Sequence, residues 1–143
     1  MNEKQRSSVI PYLVYENAAE ALAWLCDVFG FEEVLRHEGA DGRVDHAELR
    51  IGGGVVYLGA PGGDFTSPKN GGYPGSLVCV EVDDVDAHYA HARAAGAEVT
   101  EEPTDQDYGE RRYTVVDPEG HQWFFSQPLR DVAPTAWGAQ TAR

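Results

Sequence analysis

The residues best suited to proton transfer are His46 and Glu48 in the segment DHAELR. They are two positions apart, so on a β-strand both side chains leave the same face. An imidazole beside a carboxylate can exchange a proton with a substrate, and the pair can also offer two ligands to a divalent metal. The alternative is a structural histidine that is hydrogen-bonded and orients a neighbouring side chain. The sequence leaves both interpretations open.

The other histidines are less suited to chemistry. His88 and His91 are three positions apart in a predicted helix, a spacing that binds a metal weakly, and we expect them on a solvated helix face. His121 follows the tetrapeptide DPEG and is predicted to stabilise that turn. His37 has no neighbours that distinguish it. The chain contains no phosphate-binding loop, nucleophile elbow or CxxC pair.

The charge balance restricts the partners. Lys and Arg number 11 against 24 Asp and Glu in 143 residues, which gives a net charge of −13. Such a chain repels nucleic-acid phosphates and anionic lipids, so we expect neither nucleic acid nor a membrane as a partner, whereas a cationic ligand is attracted. The polar start MNEKQRSS predicts no secretory signal, and no run reaches the roughly 20 apolar residues of a membrane helix. With Cys26 and Cys79 predicted to be buried free thiols, we expect a cytoplasmic protein.

Residues 9–60 predict one β-α-β-β-β module. A strand at 9–15 precedes a helix that Asn17 caps and Gly30 ends. The buried face of this helix is predicted to comprise Leu22, Leu25, Cys26 and Phe29. Strands are then predicted near 31–38, at 44–51 and at 55–59, with a Gly-Gly-Gly turn at 52–54.

Residues 76–128 repeat the same order. The predicted elements are a strand at 76–82, a helix from Asp84 to Gly96 with Val85, Tyr89 and Ala92 on its apolar face, strands at 97–101, 111–116 and 121–126, a loop at 103–109 and a turn at 117–120. Gly30 and Gly96 are 66 positions apart, as are Gly54 and Gly120, which favours an internal duplication. Segment 61–75, rich in Gly and Pro, is predicted to be a linker or flap, and 129–143 a tail, all within a single domain 1–143.

This repeated plan, with DPEGH before the last strand, resembles the vicinal-oxygen-chelate superfamily, which includes glyoxalase I, extradiol dioxygenases, fosfomycin-resistance transferases and metal-free bleomycin-binding proteins. Uncharacterised glyoxalase/bleomycin-resistance-like proteins share IPYLVY, the WL pair, HAEL, DQDYG and DPEGH. The resemblance covers about residues 9–128. It implies an α+β fold in which two βαβββ modules form curved mixed sheets around a cleft, with the helices outside, and it implies a homodimer.

The resemblance also implies four metal-ligand positions, in the first and last strand of each module. They fall at Ile10, at Leu58 (or Tyr57 if the register differs by one), at Leu77 and at Phe124. None carries His, Asp or Glu, and carbon side chains cannot complete the ligand shell of a divalent metal. We therefore predict no cofactor. One divalent metal, relocated to His46 and Glu48, is the alternative.

Strand alternation around the implied cleft predicts an apolar and aromatic lining with a few charged groups. The predicted lining comprises Ile10, Tyr12, Val14, His46, Glu48, Arg50, Leu77, Cys79, Glu81, Arg112, Thr114, Val116, Gln122 and Phe124. On the opposite face of the last strand, Trp123 and Phe125 are predicted to pack against the helix. Tyr12, Phe124 and Trp137 either stack on a planar or cationic ligand or serve packing, in the core or against a partner chain.

The charged lining residues and Cys79 each allow two interpretations. Arg50, Arg111 and Arg112 clamp an anionic group or, as we expect, form ion pairs within the fold. Glu48 and Glu81 bind a cation or act as a base, or are simply solvated or ion-paired. Cys79 has no His near it in the sequence, so a reactive thiolate is the less favoured interpretation.

Three functions are compatible with these residues. The first is metal-free binding and sequestration of an antibiotic-like, planar or cationic small molecule, in the manner of the bleomycin-resistance proteins that the chain resembles. The second is a glyoxalase-like lyase or isomerase, or a dioxygenase, that uses a relocated metal or acid–base chemistry at His46 and Glu48. The third is an accessory module without a small ligand. We favour the first, because the four ligand positions hold no metal-binding side chain.

Overall fold

A computed structural model of the protein describes residues 7–72 and 74–142. Residues 1–6, Tyr73 and Arg143 lie outside the described part, and with them most of the polar N-terminus and one position of segment 61–75. The chain forms two compact units. The first comprises the chain up to Ser76 together with Asp117–His121, and the second comprises Leu77–Val116 and the chain from Gln122 onward. No helix in the described residues is long and apolar enough to cross a bilayer.

In its described residues, the first unit contains one four-stranded sheet and one α-helix. Its elements are β1 (Tyr12–Val14), α1 (Ala18–Trp24, continued by a π-helical turn Leu25–Phe29), β2 (Glu32–Glu38), β3 (Val44–Ile51) and β4 (Gly54–Gly59). The strand order is β1-β4-β3-β2, with β1 parallel to β4 and the other pairs antiparallel. A short 3-10 helix, Pro68–Asn70, lies within segment 61–75.

The predicted ends of α1 are confirmed. The Asn17 side chain accepts a hydrogen bond from the backbone N–H of Glu20 at 3.1 Å, and Gly30 ends the helix with φ +83°. Leu22, Leu25 and Phe29 are buried as predicted, but Cys26 is only half-buried. That prediction was wrong because a π-helical turn holds more residues than an α-helical one, so α-helical spacing misplaces Cys26.

The second unit repeats this arrangement. Its elements are β5 (Leu77–Glu81), α2 (Val85–Ala94), β6 (Glu98–Asp105), β7 (Glu110–Val116) and β8 (Gln122–Pro128), in the sheet order β5-β8-β7-β6. The side chain of Asp84 caps α2 by accepting from the N–H of Ala87 at 3.0 Å. A 3-10 helix, Pro134–Trp137, lies in the tail.

Strand β6 is longer than predicted. It extends to Asp105, so residues 103–105 of the predicted loop belong to the strand, and the turn before β7 is closed by a 2.7 Å bond from the N–H of Gln106 to the carbonyl of Glu110. Pro103 is tolerated here because β6 is an edge strand whose pairing with β7 shifts register between Glu101 and Thr104.

Helix α2 packs on the second sheet through a partly polar face. Trp123 and Phe125 are fully buried on that side, as predicted. The ring of His88 lies 4.1 Å from that of Phe125, and its Nδ1 is 2.6 Å from the hydroxyl of Tyr113. The prediction that His88 lies on a solvated face was wrong, because it is three residues after Val85 and therefore on the buried side of α2.

The duplication is visible in only one of the two glycine pairs. Gly30 and Gly96 both end a helix in the left-handed conformation, with φ +83° and +90°. Gly54 is the first residue of β4, whereas Gly120 lies in the 117–121 turn before β8 with φ +96°. The equal spacing of Gly54 and Gly120 therefore does not reflect equivalent positions.

Candidate functional site

In the first unit, the sheet face opposite α1 carries the polar and aromatic residues. Ala47 and Leu49 of β3 are fully buried on the α1 side, so strand alternation places His46, Glu48 and Arg50 on the other face. The register pairs Glu48 with Tyr57 and Tyr57 with Tyr12, which brings these side chains together.

Gly59 provides the space for the Tyr12 ring. A Cβ at this position would lie 2.7 Å from Cε1 of Tyr12, closer than real contacts allow. The phenol therefore lies across β4, and its hydroxyl is 2.8 Å from Nδ1 of His46. Any larger residue at position 59 would displace Tyr12 from His46.

Tyr12, His46 and Glu48 form a hydrogen-bonded chain. The other ring nitrogen of His46, Nε2, is 3.1 Å from Oε2 of Glu48. The Glu48 side chain is 18 % exposed and that of His46 28 %, whereas Tyr12 is 53 % exposed. This series of hydrogen bonds thus runs from the mostly buried carboxylate of Glu48 to the phenol of Tyr12 at the surface. The predicted pairing of His46 with Glu48 is present, and the contact with Tyr12 was not predicted.

Tyr57 completes an aromatic cluster in the first unit. Its ring centroid lies 5.2 Å from that of His46 and 5.8 Å from that of Tyr12, both edge to face. Leu58 is fully buried on the α1 side, so Tyr57, and not Leu58, occupies the last-strand position of this face. The predicted register was one residue off, because the Gly-Gly-Gly stretch does not reveal which glycine starts β4.

A hollow of about 230 Å³ lies beside Tyr12 in the first unit. It is lined by Tyr12, Leu13, Val14, Phe65, Thr66, Pro68, Gly72, Pro74, Gly75, Ser76 and His121. Ile10, just before β1, is half-buried, and Arg50 is held by Glu32 through a 2.7 Å ion pair, as we expected for this arginine. Part of segment 61–75 therefore forms one wall of a small hollow.

In the second unit, the face opposite α2 carries an arginine stacked on an aromatic ring. The guanidinium carbon of Arg112 lies 4.1 Å from the ring centroid of Phe124, and its Nη1 donates to the hydroxyl of Tyr108 at 3.0 Å. Nη2 lies 3.8 Å from a carboxylate oxygen of Glu101. The ring of Tyr108 is 5.6 Å from that of Trp137, which is 41 % exposed.

The remaining predicted lining residues of the second unit lie on the same sheet face as this pair. Thr114 and Cys79 are the register neighbours of Phe124, and Leu77 pairs with Gln122, which also pairs with Val116. Glu81 is exposed at the end of β5. The structure thus groups the predicted lining residues into two sets, one on each unit.

Cys79 is exposed, so the prediction of a buried thiol was wrong. Its neighbour Val80 takes the buried position of β5, and alternation puts Cys79 on the open face. Its partial burial nevertheless raises the pKa of the thiol, against a smaller lowering by Arg112. A protonated thiol is a poor nucleophile, so this environment does not favour a reactive Cys79.

The turn 117–121 has a structural role in the first unit. Nε2 of His121 donates to the carbonyl of Val14 at 2.7 Å, in line with the predicted structural role of this histidine. The Glu119 carboxylate accepts from the backbone N–H groups of Glu16 and Asn17, at 2.6 and 3.0 Å. The residues of DPEGH therefore hold the junction between β1 and α1.

The residues at the four implied ligand positions do not fit a divalent metal. Ile10, Leu77 and Phe124 offer only hydrocarbon, Tyr57 offers a single phenol oxygen, and the positive charge of Arg112 over the Phe124 ring would repel a cation. Within residues 7–72 and 74–142, no three His, Cys, Asp or Glu side chains are grouped as a metal site. His46 and Glu48 supply two donors, and these are bonded to each other.

Comparison with known proteins decides the family. Residues 9–125 match the Glyoxalase/Bleomycin resistance protein/Dioxygenase superfamily. The chain belongs to this superfamily. Its predicted fold class, α+β with βαβββ modules, is thereby confirmed.

Three proteins similar to this superfamily member match it over most of the chain. An uncharacterised protein of Mycobacterium bovis is 38 % identical over 127 residues, which cover 85 % of this chain and 84 % of the relative. The crystal structure of TioX from Micromonospora sp. ML1 is 37 % identical with a TM-score of 0.70, covering 89 % of this chain and 100 % of TioX. TnmS3, an antibiotic binding protein from Streptomyces sp. CB03234, is 23 % identical with a TM-score of 0.61, covering 85 % and 97 %.

Proposed function

We propose that this superfamily member binds and sequesters a planar, antibiotic-like small molecule without the help of a metal. The observation that carries the proposal is the stack of Arg112 on Phe124, at a strand position that, by resemblance, holds a metal-binding carboxylate in the enzymes. A planar guanidinium fixed on a ring presents its outer face to another planar group. This arrangement binds flat molecules and offers no obvious catalytic group.

The residues around the stack are suited to such a ligand. Tyr108 holds one nitrogen of Arg112, so the guanidinium is oriented before a ligand arrives. Leu77 and Trp137 are exposed apolar side chains of the same unit. Aromatic and apolar surface with a few placed polar groups is the usual composition of a small-molecule site. The antibiotic-binding relative TnmS3 supports this class of ligand.

The proposal is tested by titrating the purified protein with a panel of planar antibiotics while tryptophan fluorescence and thermal stability are recorded. We expect saturable binding of at least one compound, with stabilisation of about 2.7 kcal/mol at a hundred times its dissociation constant. Phe124→Ala should weaken binding about 10-fold or more, as loss of a stacking partner does. The control is Val34→Ala, which truncates an exposed apolar side chain of β2 in the first unit and leaves the stack intact.

The same protein sample tests the alternative of an enzyme with a relocated metal at His46 and Glu48. Elemental analysis and thermal stability with added Ni²⁺, Zn²⁺, Mn²⁺ or Fe²⁺ should reveal neither a stoichiometric metal nor a stability shift. A stoichiometric metal that is lost in His46→Ala would overturn the sequestration proposal and favour a lyase, isomerase or dioxygenase.

We also propose that the protein forms a homodimer, as the family resemblance implies. Light scattering during gel filtration measures its mass in solution, which for a dimer is twice the 15.6 kDa of the chain. A monomer at micromolar concentration would contradict this proposal without affecting the ligand-binding test.

A further inference from the structure

The hydrogen bonds of Tyr12 and His46 have a defined direction. A carboxylate only accepts hydrogen bonds, so the proton between His46 and Glu48 is on Nε2 of the imidazole. When the imidazole carries only this proton, Nδ1 is an acceptor, and the hydroxyl of Tyr12 donates to it across 2.8 Å. The tyrosine hydrogen is therefore committed to His46.

The oxygen of Tyr12 is left with its lone pairs. Because its hydrogen points to His46, this oxygen can accept a hydrogen bond from a ligand but has no proton to offer. Tyr12 is 53 % exposed, so a ligand can approach it. The Glu48 carboxylate accepts the Nε2 hydrogen and so makes Nδ1 a stronger acceptor, and the Tyr12 hydroxyl that donates to Nδ1 gains negative charge on its oxygen and becomes a better acceptor.

The surroundings add a preference for positive charge. The faces of Tyr12 and Tyr57 attract cations, and these rings lie 5.8 Å apart. Arg50, on the same sheet face, is ion-paired with Glu32 at 2.7 Å, which offsets its positive charge. The net charge of −13 attracts cations to the protein as a whole.

We infer that Tyr12, supported by His46 and Glu48, is a recognition point for a protonated amine on a small molecule, with the hollow formed by Phe65, Pro68 and Pro74 receiving the adjoining part of that molecule. This inference deepens the proposed function and rests on it, since it assumes that the protein binds a small organic ligand. It places a hydrogen-bond acceptor, the Tyr12 oxygen, in the first unit, and the ligand that fits this acceptor carries an amine.

Three probes that share one planar ring system separate charge from shape. They are 2-naphthylmethylamine, which is cationic at neutral pH, 2-naphthylmethanol, which is a neutral donor, and 2-naphthoate, which is an anion. Binding is followed by chemical-shift changes in the protein NMR spectrum. The amine should bind about 10-fold more tightly than the alcohol and shift the resonances of Tyr12 and His46, as a charge-assisted bond does.

Two variants connect this preference to the hydrogen-bonded chain. Tyr12→Phe keeps the ring and removes the acceptor, and Glu48→Gln keeps the size and removes the charge. Each should bring the affinity for the amine to within about 2-fold of that for the alcohol. The control Glu38→Gln, at an exposed position of β2, removes one charge elsewhere and should preserve the preference.

The outcomes distinguish this inference from the proposed function. Equal binding of all three probes, or a preference unchanged in Tyr12→Phe, would overturn the amine site without contradicting planar binding at Phe124. No binding of any probe would overturn the amine site, and the antibiotic panel would then decide the proposed function. Circular dichroism of each variant verifies that it is folded before its affinities are compared.

Discussion

The hydroxyl of Tyr15 donates a 2.6 Å hydrogen bond to Oδ2 of Asp117, which is 102 positions later in the chain. Both residues are buried, with exposures of 0 % and 3 %. The second carboxylate oxygen of Asp117 accepts from the backbone N–H groups of Glu119 and His121. Burial of a carboxylate is unfavourable unless donors surround it, so Tyr15 and the turn stabilise Asp117 together.

Tyr15→Phe tests this contact. The variant keeps the ring and removes one donor from a buried carboxylate, so we expect the free energy of unfolding to fall by about 1–3 kcal/mol in urea denaturation. Tyr12→Phe is the matched control, since its hydroxyl is at the surface, and should change stability by less than about 0.5 kcal/mol. Equal effects of the two substitutions would contradict the structural role of Tyr15.

Stability should decrease at alkaline pH. Burial raises the pKa of Tyr15 well above its ordinary value of 10.0, with a further increase from the charge of Asp117, and burial also raises the pKa of Tyr113. A group whose pKa is higher in the folded protein than in the unfolded one stabilises the fold fully at pH values below its unfolded-state pKa. This contribution is lost as the pH rises through the folded-state pKa. The free energy of unfolding should therefore fall above about pH 10.

Phenolate absorbance measured beside unfolding shows which tyrosines are responsible. Tyr15 and Tyr113, which are both fully buried, should ionise only when the protein unfolds. Ionisation of every tyrosine in a protein that retains its folded circular dichroism would be incompatible with this assignment.

His88→Ala should destabilise the second unit. The substitution removes the hydrogen bond to Tyr113 and the ring contact with Phe125, so we expect a loss of about 1–3 kcal/mol in thermal or urea unfolding. His91→Ala, on the exposed side of the same helix, should cost less than about 0.5 kcal/mol. An unchanged free energy of unfolding in His88→Ala would mean that this imidazole does not contribute to packing.

Alkylation of the cysteines reports where a ligand binds. Burial raises the pKa of both Cys26 and Cys79, so both should react slowly with iodoacetamide at neutral pH and faster as the pH rises. Cys79 is the strand neighbour of Phe124, and a stacked ligand should slow its alkylation several-fold without affecting Cys26. Mass spectrometry of the two peptides gives the rates. A saturating ligand that leaves Cys79 fully reactive would place the site elsewhere.

Glu16→Gln should weaken the hydrogen bonds that hold segment 67–70. The Glu16 carboxylate accepts hydrogen bonds from the N–H and hydroxyl of Ser67 and from the side-chain amide of Asn70, and these bonds lower its pKa. The bonds should be fully formed above pH 4.5, the ordinary pKa of a glutamate side chain. They should weaken as the pH falls through the lowered pKa of Glu16 in the folded protein. Hydrogen exchange at the Ser67 amide should be faster in the variant, and Glu98→Gln in β6 should have no effect there.

Local rules predicted the elements of this fold well. The caps Asn17 and Asp84, the left-handed Gly30 and the burial of Trp123 and Phe125 each follow from neighbouring residues alone. Errors arose where geometry departs from regular spacing. The π-helical turn moved Cys26 off the buried face, and the Gly-Gly-Gly stretch concealed the register that selects Tyr57 over Leu58.

The candidate site was predictable only in part. Strand alternation placed His46 beside Glu48, because the two residues share one strand. The contact of Tyr12 with His46 spans 34 positions and depends on the parallel pairing of β1 with β4 and on Gly59. The stack of Arg112 on Phe124 likewise required the register of two strands. Contacts of this kind are set by pairing, which single-residue patterns do not specify.

The first unit is assembled from two separate stretches of the chain, because Asp117–His121 belongs to it while the strands on either side belong to the second unit. A truncated chain ending at Ser76 would keep Tyr15 but lose Asp117, and would keep the N–H groups of Glu16 and Asn17 but lose Glu119. A protease cut within segment 61–75 would instead give a nicked protein in which the carboxyl-terminal fragment still supplies the missing turn. We therefore expect that the first half of the apparent duplication does not fold on its own, and that mixing the two fragments restores it by complementation.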